Sequence, residues 1–177
     1  MSAEMAATLA FAAVMTLALV WDVRERRIPN TLIVSGLVLG FGLRVIGGLP
    51  ALGTGLAGAA LALVLTFPLF ALRAMGGGDV KLFVVAGMFL GPKAFLLALL
   101  ASALVGGVLG LAVALQSGVL VTALLRTRDL AVRAATLGRA GDRMTLESAG
   151  AITVPYGAAI AIGSIAVWFL FPEGRPW

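Results

Sequence analysis

Residues 94–125 of the chain read AFLLALLASALVGGVLGLAVALQSGVLVTALL and contain no charged side chain. As a single α-helix this stretch would extend roughly 48 Å, which exceeds the ~30 Å hydrocarbon core of a bilayer. We therefore expect a membrane span that ends near Leu115, before the polar residues 116–118. Such a long uncharged stretch is typical of a membrane protein.

Five further apolar stretches have the character of membrane spans. They cover residues 5–21, 30–49, 51–72, 80–90 and 149–171. The stretch at 80–90 would extend only ~16 Å as a helix and is ended by Gly91-Pro92, so neighbouring helices must shelter its ends. The sequence thus predicts an all-α, polytopic membrane protein of about six transmembrane helices.

The composition supports this class and excludes several chemistries. Hydrophobic residues make up 61% of the 177 residues and charged residues only 12%, too few for the surface of a soluble domain. The absence of cysteine and histidine excludes thiolate and imidazole metal sites and serine–histidine catalysis. Hydrolysis would have to rely on carboxylates, lysine, tyrosine or hydroxyl groups.

The basic residues predict the orientation of the chain. With the N-terminus outside, only Arg44, Lys93 and Arg175 of the 13 basic residues lie on the outer side, and the others lie on the cytoplasmic side, as the positive-inside rule requires. We expect both termini on the exterior, and Arg44 to extend outward to the interface. The first span has no basic start, so we interpret it as permanent and not as a signal peptide.

No repeat or linker divides the chain, so we expect a single domain over residues 1–177. Within it, residues 119–147 are predicted to form a cytoplasmic or interfacial loop or helix. The net charge of +5 could indicate nucleic-acid binding, but no aromatic residues alternate with the basic ones. We therefore expect contact with membrane lipid and not with nucleic acid.

Two of the eight acidic residues lie where an apolar span meets the predicted cytoplasmic face. Asp22 ends the first span, which runs inward, and Asp79 begins the fourth, which runs outward, so both reach the same depth. Two neighbouring carboxyl groups tend to share one proton. The ionised member can activate water while the protonated member donates to a carbonyl oxygen, which is aspartic peptidase chemistry without a metal or organic cofactor.

Other interpretations of these residues stay open. Asp22 could pair with Arg24 or Arg26 as a boundary charge, and Asp79 could be the N-cap of the fourth helix. The glycines at 76–78 could be a flexible turn, or they could supply positive φ angles and close approach for a substrate strand. A small transporter with a cation-binding carboxylate and a non-catalytic assembly subunit of a pilus or secretion system are the alternative functions.

At these positions the chain resembles the type IV prepilin peptidases, a branch of the GxGD intramembrane aspartic peptidases. Residues 76–79, GGGD, match GxGD and continue as VKL, like the family's GxGDxKL. Asp22 with RIPN at 27–30 resembles the first-aspartate segment, and VPYG at 154–157 resembles a Pro-Tyr-Gly element of the last span. Without a cysteine-containing insert, the chain is similar to the short peptidases of tight-adherence (Flp-type) pili.

The resemblance implies an endopeptidase that removes the short basic leader of prepilin or pseudopilin substrates at the cytoplasmic face of the bacterial inner membrane. Asp22 and Asp79 would be the catalytic pair, and Gly76 and Gly78 would shape the loop that holds Asp79. No methyltransferase activity is expected, because the family associates it with the missing insert. Pilus or secretion assembly components could be further partners.

Three more residues are predicted to support the site. Lys81 could bias the shared proton or extend toward lipid headgroups, and its spacing of two from Asp79 favours the second role. Pro155 could open the backbone of the last helix or only bend it. Tyr156 could hydrogen-bond at the site.

Overall fold

A computed structural model of the protein describes residues 2–116 and 156–172. These residues form five α-helices, which confirms the all-α prediction. The helices are α1 (Ala3–Glu25), α2 (Asn30–Ile46), α3 (Leu49–Ala71), α4 (Gly77–Gln116) and α5 (Tyr156–Leu170). The loop or helix predicted at 119–147 and the predicted site residue Pro155 lie outside the described residues.

By length and composition, three of these helices could cross a membrane: α1, α3 and the Gly77–Val113 part of α4. The helices α2 and α5 are also apolar but shorter. Large hydrophobic side chains such as Val38, Val64 and Leu104 are well exposed on the outer faces of the helices, as lipid contact requires. The chain is therefore a membrane protein.

The helix α4 is not one straight span, because the chain reverses at Gly91. This residue has φ 73° and ψ 174°, a conformation that essentially only glycine adopts. The ring centroids of Phe83 and Phe95 lie 6.0 Å apart, whereas a straight helix would separate these positions by ~18 Å. The segments 77–90 and 92–116 therefore run back along each other, and the first ends where the sequence predicts the fourth span to end.

The two segments of α4 and the four other helices make six helical segments in the described residues, close to the approximate count from the sequence. At 17 and 15 residues, α2 and α5 extend only ~26 Å and ~23 Å, less than the ~30 Å hydrocarbon core. The number of segments that cross the membrane therefore stays a prediction.

The prediction that Arg44 extends outward is wrong, because its side chain is fully buried. Its Nε donates to the carbonyl oxygen of Met88 at 3.0 Å and its Nη2 to that of Phe89 at 2.7 Å. Its Nη1 donates to the Thr54 hydroxyl at 2.8 Å and to the Ala51 carbonyl at 3.2 Å. Since Pro92 has no N–H to offer Met88, the guanidinium supplies the donor that the reversal at Gly91 removes.

Small residues and one aromatic cluster hold the helices together. A Cβ on Gly58 of α3 or on Gly87 of α4 would overlap the backbone of the other helix, the close approach that small residues allow in membranes. Trp168 of α5 stacks on Phe11 of α1 with ring centroids 4.6 Å apart, and Phe89 of α4 lies 5.4 Å from the same ring. This packing fixes α5 against both α1 and α4.

Candidate active site

Asp22 lies in the last turn of α1 and is 6% exposed. Its Oδ2 accepts a hydrogen bond of 2.9 Å from the backbone N–H of Ala158. Ala158 is the third residue of α5, so this N–H has no partner inside its own helix, and the positive end of the helix dipole faces the carboxyl group. In the described part of the chain, the carboxyl group of Asp22 is thus bound to α5 and not to the side chains of Arg24 or Arg26.

Asp79 is the third residue of α4 and not its N-cap. Its carboxyl group accepts a hydrogen bond from the backbone of Gly76, just before the helix, as an acidic residue at this position commonly does. A Cβ on Gly76 would lie 3.0 Å from Oδ2 of Asp79, so the glycine gives the carboxyl group room to turn back. Asp79 itself is only partly buried.

The other two glycines before Asp79 differ in how closely they are packed. None of the residues 76–78 has a positive φ, which among the described glycines occurs at Gly48 and Gly91. A Cβ on Gly77 would lie 3.3 Å from the ring of Phe70, and one on Gly78 would lie 3.8 Å from Ile28. The possible positive φ angles at 76–78 are therefore not found, and the close approach of a substrate strand to this loop stays a prediction.

The structure brings Asp22 and Asp79 to the same end of the bundle, close enough for their charges to interact. Ile28 from the α1–α2 connection lies between α4 and α5. A Cβ added to Gly157 of α5 would lie 2.9 Å from its Cδ1, and one added to Gly78 of α4 would lie 4.0 Å from the same atom. We call this region the aspartate end. It joins α1, α4 and α5 although the two carboxyl groups are far apart in sequence.

Tyr156, the first residue of α5, also lies at the aspartate end and interacts electrostatically with Asp79. Its ring rests on the second segment of α4, where a Cβ on Gly106 would lie 2.6 Å from its Cε2. The phenol is thus held between α4 and α5 beside one of the two carboxyl groups.

Lys81 hydrogen-bonds to a residue outside the carboxyl pair. Its Nζ donates to Oδ1 of Asn30 at 2.9 Å on the exposed surface. Asn30 is the first residue of α2, so this hydrogen bond joins the start of α2 to the start of α4. The ammonium group connects two helices through Asn30, and its predicted roles toward the shared proton and the lipid headgroups stay predictions.

Sequence reasoning did not assign a role to Gly157 or Ala158, which contact Asp22. Gly157 stands in the Pro-Tyr-Gly element and could have been noticed there. Ala158 contributes only its backbone N–H, and the side chain gives no signal of this. Only knowledge of where α5 begins would have identified it.

The described chain is thus an all-α membrane protein in which two aspartates from different helices meet at one end of the bundle. Residues 9–111, more than half of the chain, match the model of the type IV leader peptidase family. The chain belongs to this family. The matched residues include both Asp22 and Asp79.

A curated relative also carries a leader peptidase name. The chain is 32% identical over 116 residues to the prepilin leader peptidase/N-methyltransferase of Bacillus subtilis (strain 168), which covers 64% of this chain and 47% of that protein. The chain therefore spans about half the length of this relative. No solved structure matches the chain significantly.

Proposed function

We propose that the protein is a membrane aspartic endopeptidase that removes the leader from prepilin or pseudopilin substrates. The observation that supports this most is the meeting of Asp22 and Asp79 at one end of the bundle, in a chain of the type IV leader peptidase family. Both carboxyl groups lie in terminal turns of their helices. A transporter would favour such groups near the middle of the membrane.

In the proposed reaction the two carboxyl groups share one proton and hold one water molecule. The ionised group removes a proton from the water as its oxygen attacks the scissile carbonyl carbon, and the neutral group donates its proton to the carbonyl oxygen. As the tetrahedral diol collapses and the C–N bond breaks, the first carboxyl group gives the proton it took from water to the leaving nitrogen, and the second takes back a proton from a diol hydroxyl. The products are a leader with a free carboxyl group and a mature protein with a free amine.

The place of the pair at helix ends suits a substrate that is cut where a basic leader meets an apolar helix. Five basic residues lie in the helix ends and connections near the two aspartates: Arg24, Arg26, Arg27, Arg73 and Lys81. By the positive-inside rule these residues favour the cytoplasmic face for the aspartate end. The name of the relative also includes an N-methyltransferase activity. We do not propose that activity for the 177 residues of this chain, because they include no cysteine.

The test is cleavage of a prepilin from the same genome by purified protein in detergent. Asp22→Asn and Asp79→Asn should each lower the rate about a hundredfold or more, since each removes an acid–base group. Glu25→Gln is the matched control, because Glu25 is an exposed carboxylate three residues from Asp22. Normal cleavage by both Asn variants would exclude the peptidase proposal.

The pH dependence offers a second test of the shared proton. The rate should fall at low pH, where both carboxyl groups carry a proton, and at high pH, where both are ionised. Metal chelators should leave the rate unchanged. A rate that depends on an added divalent cation would contradict the proposed mechanism.

A further inference from the structure

The first turn of α5 contacts the Asp22 carboxyl group in two independent ways. The N–H of Ala158 donates to its Oδ2 at 2.9 Å in a buried hydrogen bond. A Cβ on Gly157 would lie 2.9 Å from both Cγ and Oδ2 of Asp22, closer than a methyl group can approach these atoms without a shift. The carboxyl group therefore packs directly on the backbone of residues 157 and 158.

This backbone is a fixed surface, because α5 is anchored elsewhere along its length. Trp168 stacks on Phe11 of α1, and its Nε1 donates to the Thr8 hydroxyl at 3.3 Å. A Cβ on Gly163 would lie 2.6 Å from the backbone nitrogen of Ser102 on α4. These contacts lie away from Asp22, so the first turn of α5 keeps its place independently of that carboxyl group.

We propose that Gly157 and Ala158 are positioning residues for Asp22. The amide of Ala158 fixes the rotation of the carboxyl group, and the missing side chain of Gly157 leaves the space in which the group lies. Within the described residues this leaves Oδ1 for the water or for the proton shared with Asp79. The inference rests on the proposed peptidase function, since it concerns how Asp22 acts in that reaction.

The variant Gly157→Ala tests the steric part. The added methyl group should displace the carboxyl group and lower kcat about tenfold to a hundredfold, because small misplacements of catalytic groups have effects of this size. KM and the unfolding temperature should stay close to those of the wild type. Gly107→Ala is the matched control, as a Cβ there has nothing within 4 Å.

A double variant separates the displacement of Asp22 from ordinary crowding. The same Cβ on Gly157 would lie 2.9 Å from Cδ1 of Ile28, and Ile28→Val removes that atom. If crowding of Ile28 caused the loss, Gly157→Ala with Ile28→Val would recover the wild-type kcat. We expect kcat to remain low, because the contact with Asp22 persists.

An amide-to-ester replacement at position 158, introduced by nonsense suppression with lactic acid, tests the hydrogen bond. It replaces the N–H by oxygen with little change of shape, and it should lower kcat about tenfold. The same replacement at Ala159, whose N–H is not bound to Asp22 in the described structure, is the control. This variant also tests the proposal if Gly157→Ala does not fold.

The outcomes separate this inference from the proposed function. A wild-type protein that cleaves no prepilin would contradict the function itself. A wild type that cleaves, an inactive Asp22→Asn, and wild-type kcat in either Gly157→Ala or the ester at 158 would overturn the positioning proposal alone. Recovery of kcat in the double variant would overturn it as well.

Discussion

Among the described residues, charged side chains are buried at two places, and their surroundings differ. At the reversal of α4, all three nitrogens of the Arg44 guanidinium donate to acceptors of the protein, most of them backbone carbonyls. At the aspartate end, the buried Asp22 interacts with the partly buried Asp79, and each carboxyl group is bound to one backbone amide. Arg44 lies fourteen residues beyond the start of α2, ~21 Å along the helix from that end.

The difference shows that burial of a charge in a membrane protein does not by itself indicate function. Arg44 replaces hydrogen bonds that the backbone lost at Gly91 and Pro92. Its hydrogen bonds therefore stabilise the fold. The two carboxyl groups repel each other when both are ionised, and in the described structure each makes fewer hydrogen bonds than the guanidinium does. The number of hydrogen bonds already made within the fold separates a structural charge from a candidate catalytic one.

The largest expected effect is the loss of activity without a loss of stability at the aspartate end. Asp79→Asn should reduce cleavage about a hundredfold or more. Its free energy of unfolding should change by less than ~1 kcal/mol, because a carboxamide oxygen can still accept from Gly76. Cleavage rates and unfolding in detergent measure the two effects separately. A parallel loss of both would place Asp79 in the same class as Arg44.

Arg44→Met should show the opposite pattern. The substitution leaves the carbonyls of Met88 and Phe89 and the Thr54 hydroxyl without this donor, at about 1–3 kcal/mol for each buried group. We expect the free energy of unfolding to fall by at least about 3 kcal/mol, with the activity of the remaining folded protein preserved. Arg44→Lys should retain only part of the free energy of unfolding that Arg44→Met loses, since one ammonium group cannot reproduce the planar arrangement of donors in the guanidinium.

Arg24→Met is the matched control for that experiment, because Arg24 is exposed near the end of α1. Its free energy of unfolding should stay within about 0.5 kcal/mol of the wild type. Equal stability of the Arg44 and Arg24 variants would show that the buried guanidinium does not hold the reversal of α4.

A smaller effect is expected at Gly91 itself. Its φ of 73° and ψ of 174° should make Gly91→Ala about 1–3 kcal/mol less stable through backbone strain. Crowding contributes little, since the nearest atoms to a Cβ there are 3.7 Å away. Gly53→Ala, a helical position with nothing within 4 Å of a Cβ, should be neutral or slightly stabilising. Unfolding curves of Gly91→Ala and Gly53→Ala would show whether the positive φ of Gly91 lowers the stability of the alanine variant.

The sequence predicted the features that depend on local chemistry and helix direction. Gly91-Pro92 indicated the end of a span because glycine and proline have direct backbone consequences. Asp22 and Asp79 were expected at the same end because alternate spans run in opposite directions. Both predictions need only the positions of residues within single elements, and the structure has both features.

The roles of Arg44 and Ala158 could not be predicted in the same way. Two of the three carbonyls that Arg44 binds lie 44 and 45 residues further along the chain, and nothing near Arg44 indicates that they lack a donor. Ala158 contributes a backbone N–H, which every residue except proline has. Roles that arise from contacts between distant helices, or from the backbone alone, appear only once the packing is known.

The smallest effect is expected at Lys81, which belongs to neither kind of buried charge. Lys81→Met should lower the free energy of unfolding by no more than ~1 kcal/mol, because the hydrogen bond to Asn30 is exposed. Asn30→Ala should have a similar effect, and the double variant should lose less than the sum of the two. Since the ammonium binds Asn30 and not the aspartates, the pH profile of cleavage should keep its shape in all three variants. A displaced profile in Lys81→Met would show instead that Lys81 biases the proton between Asp22 and Asp79, and would extend the aspartate end to the start of α2.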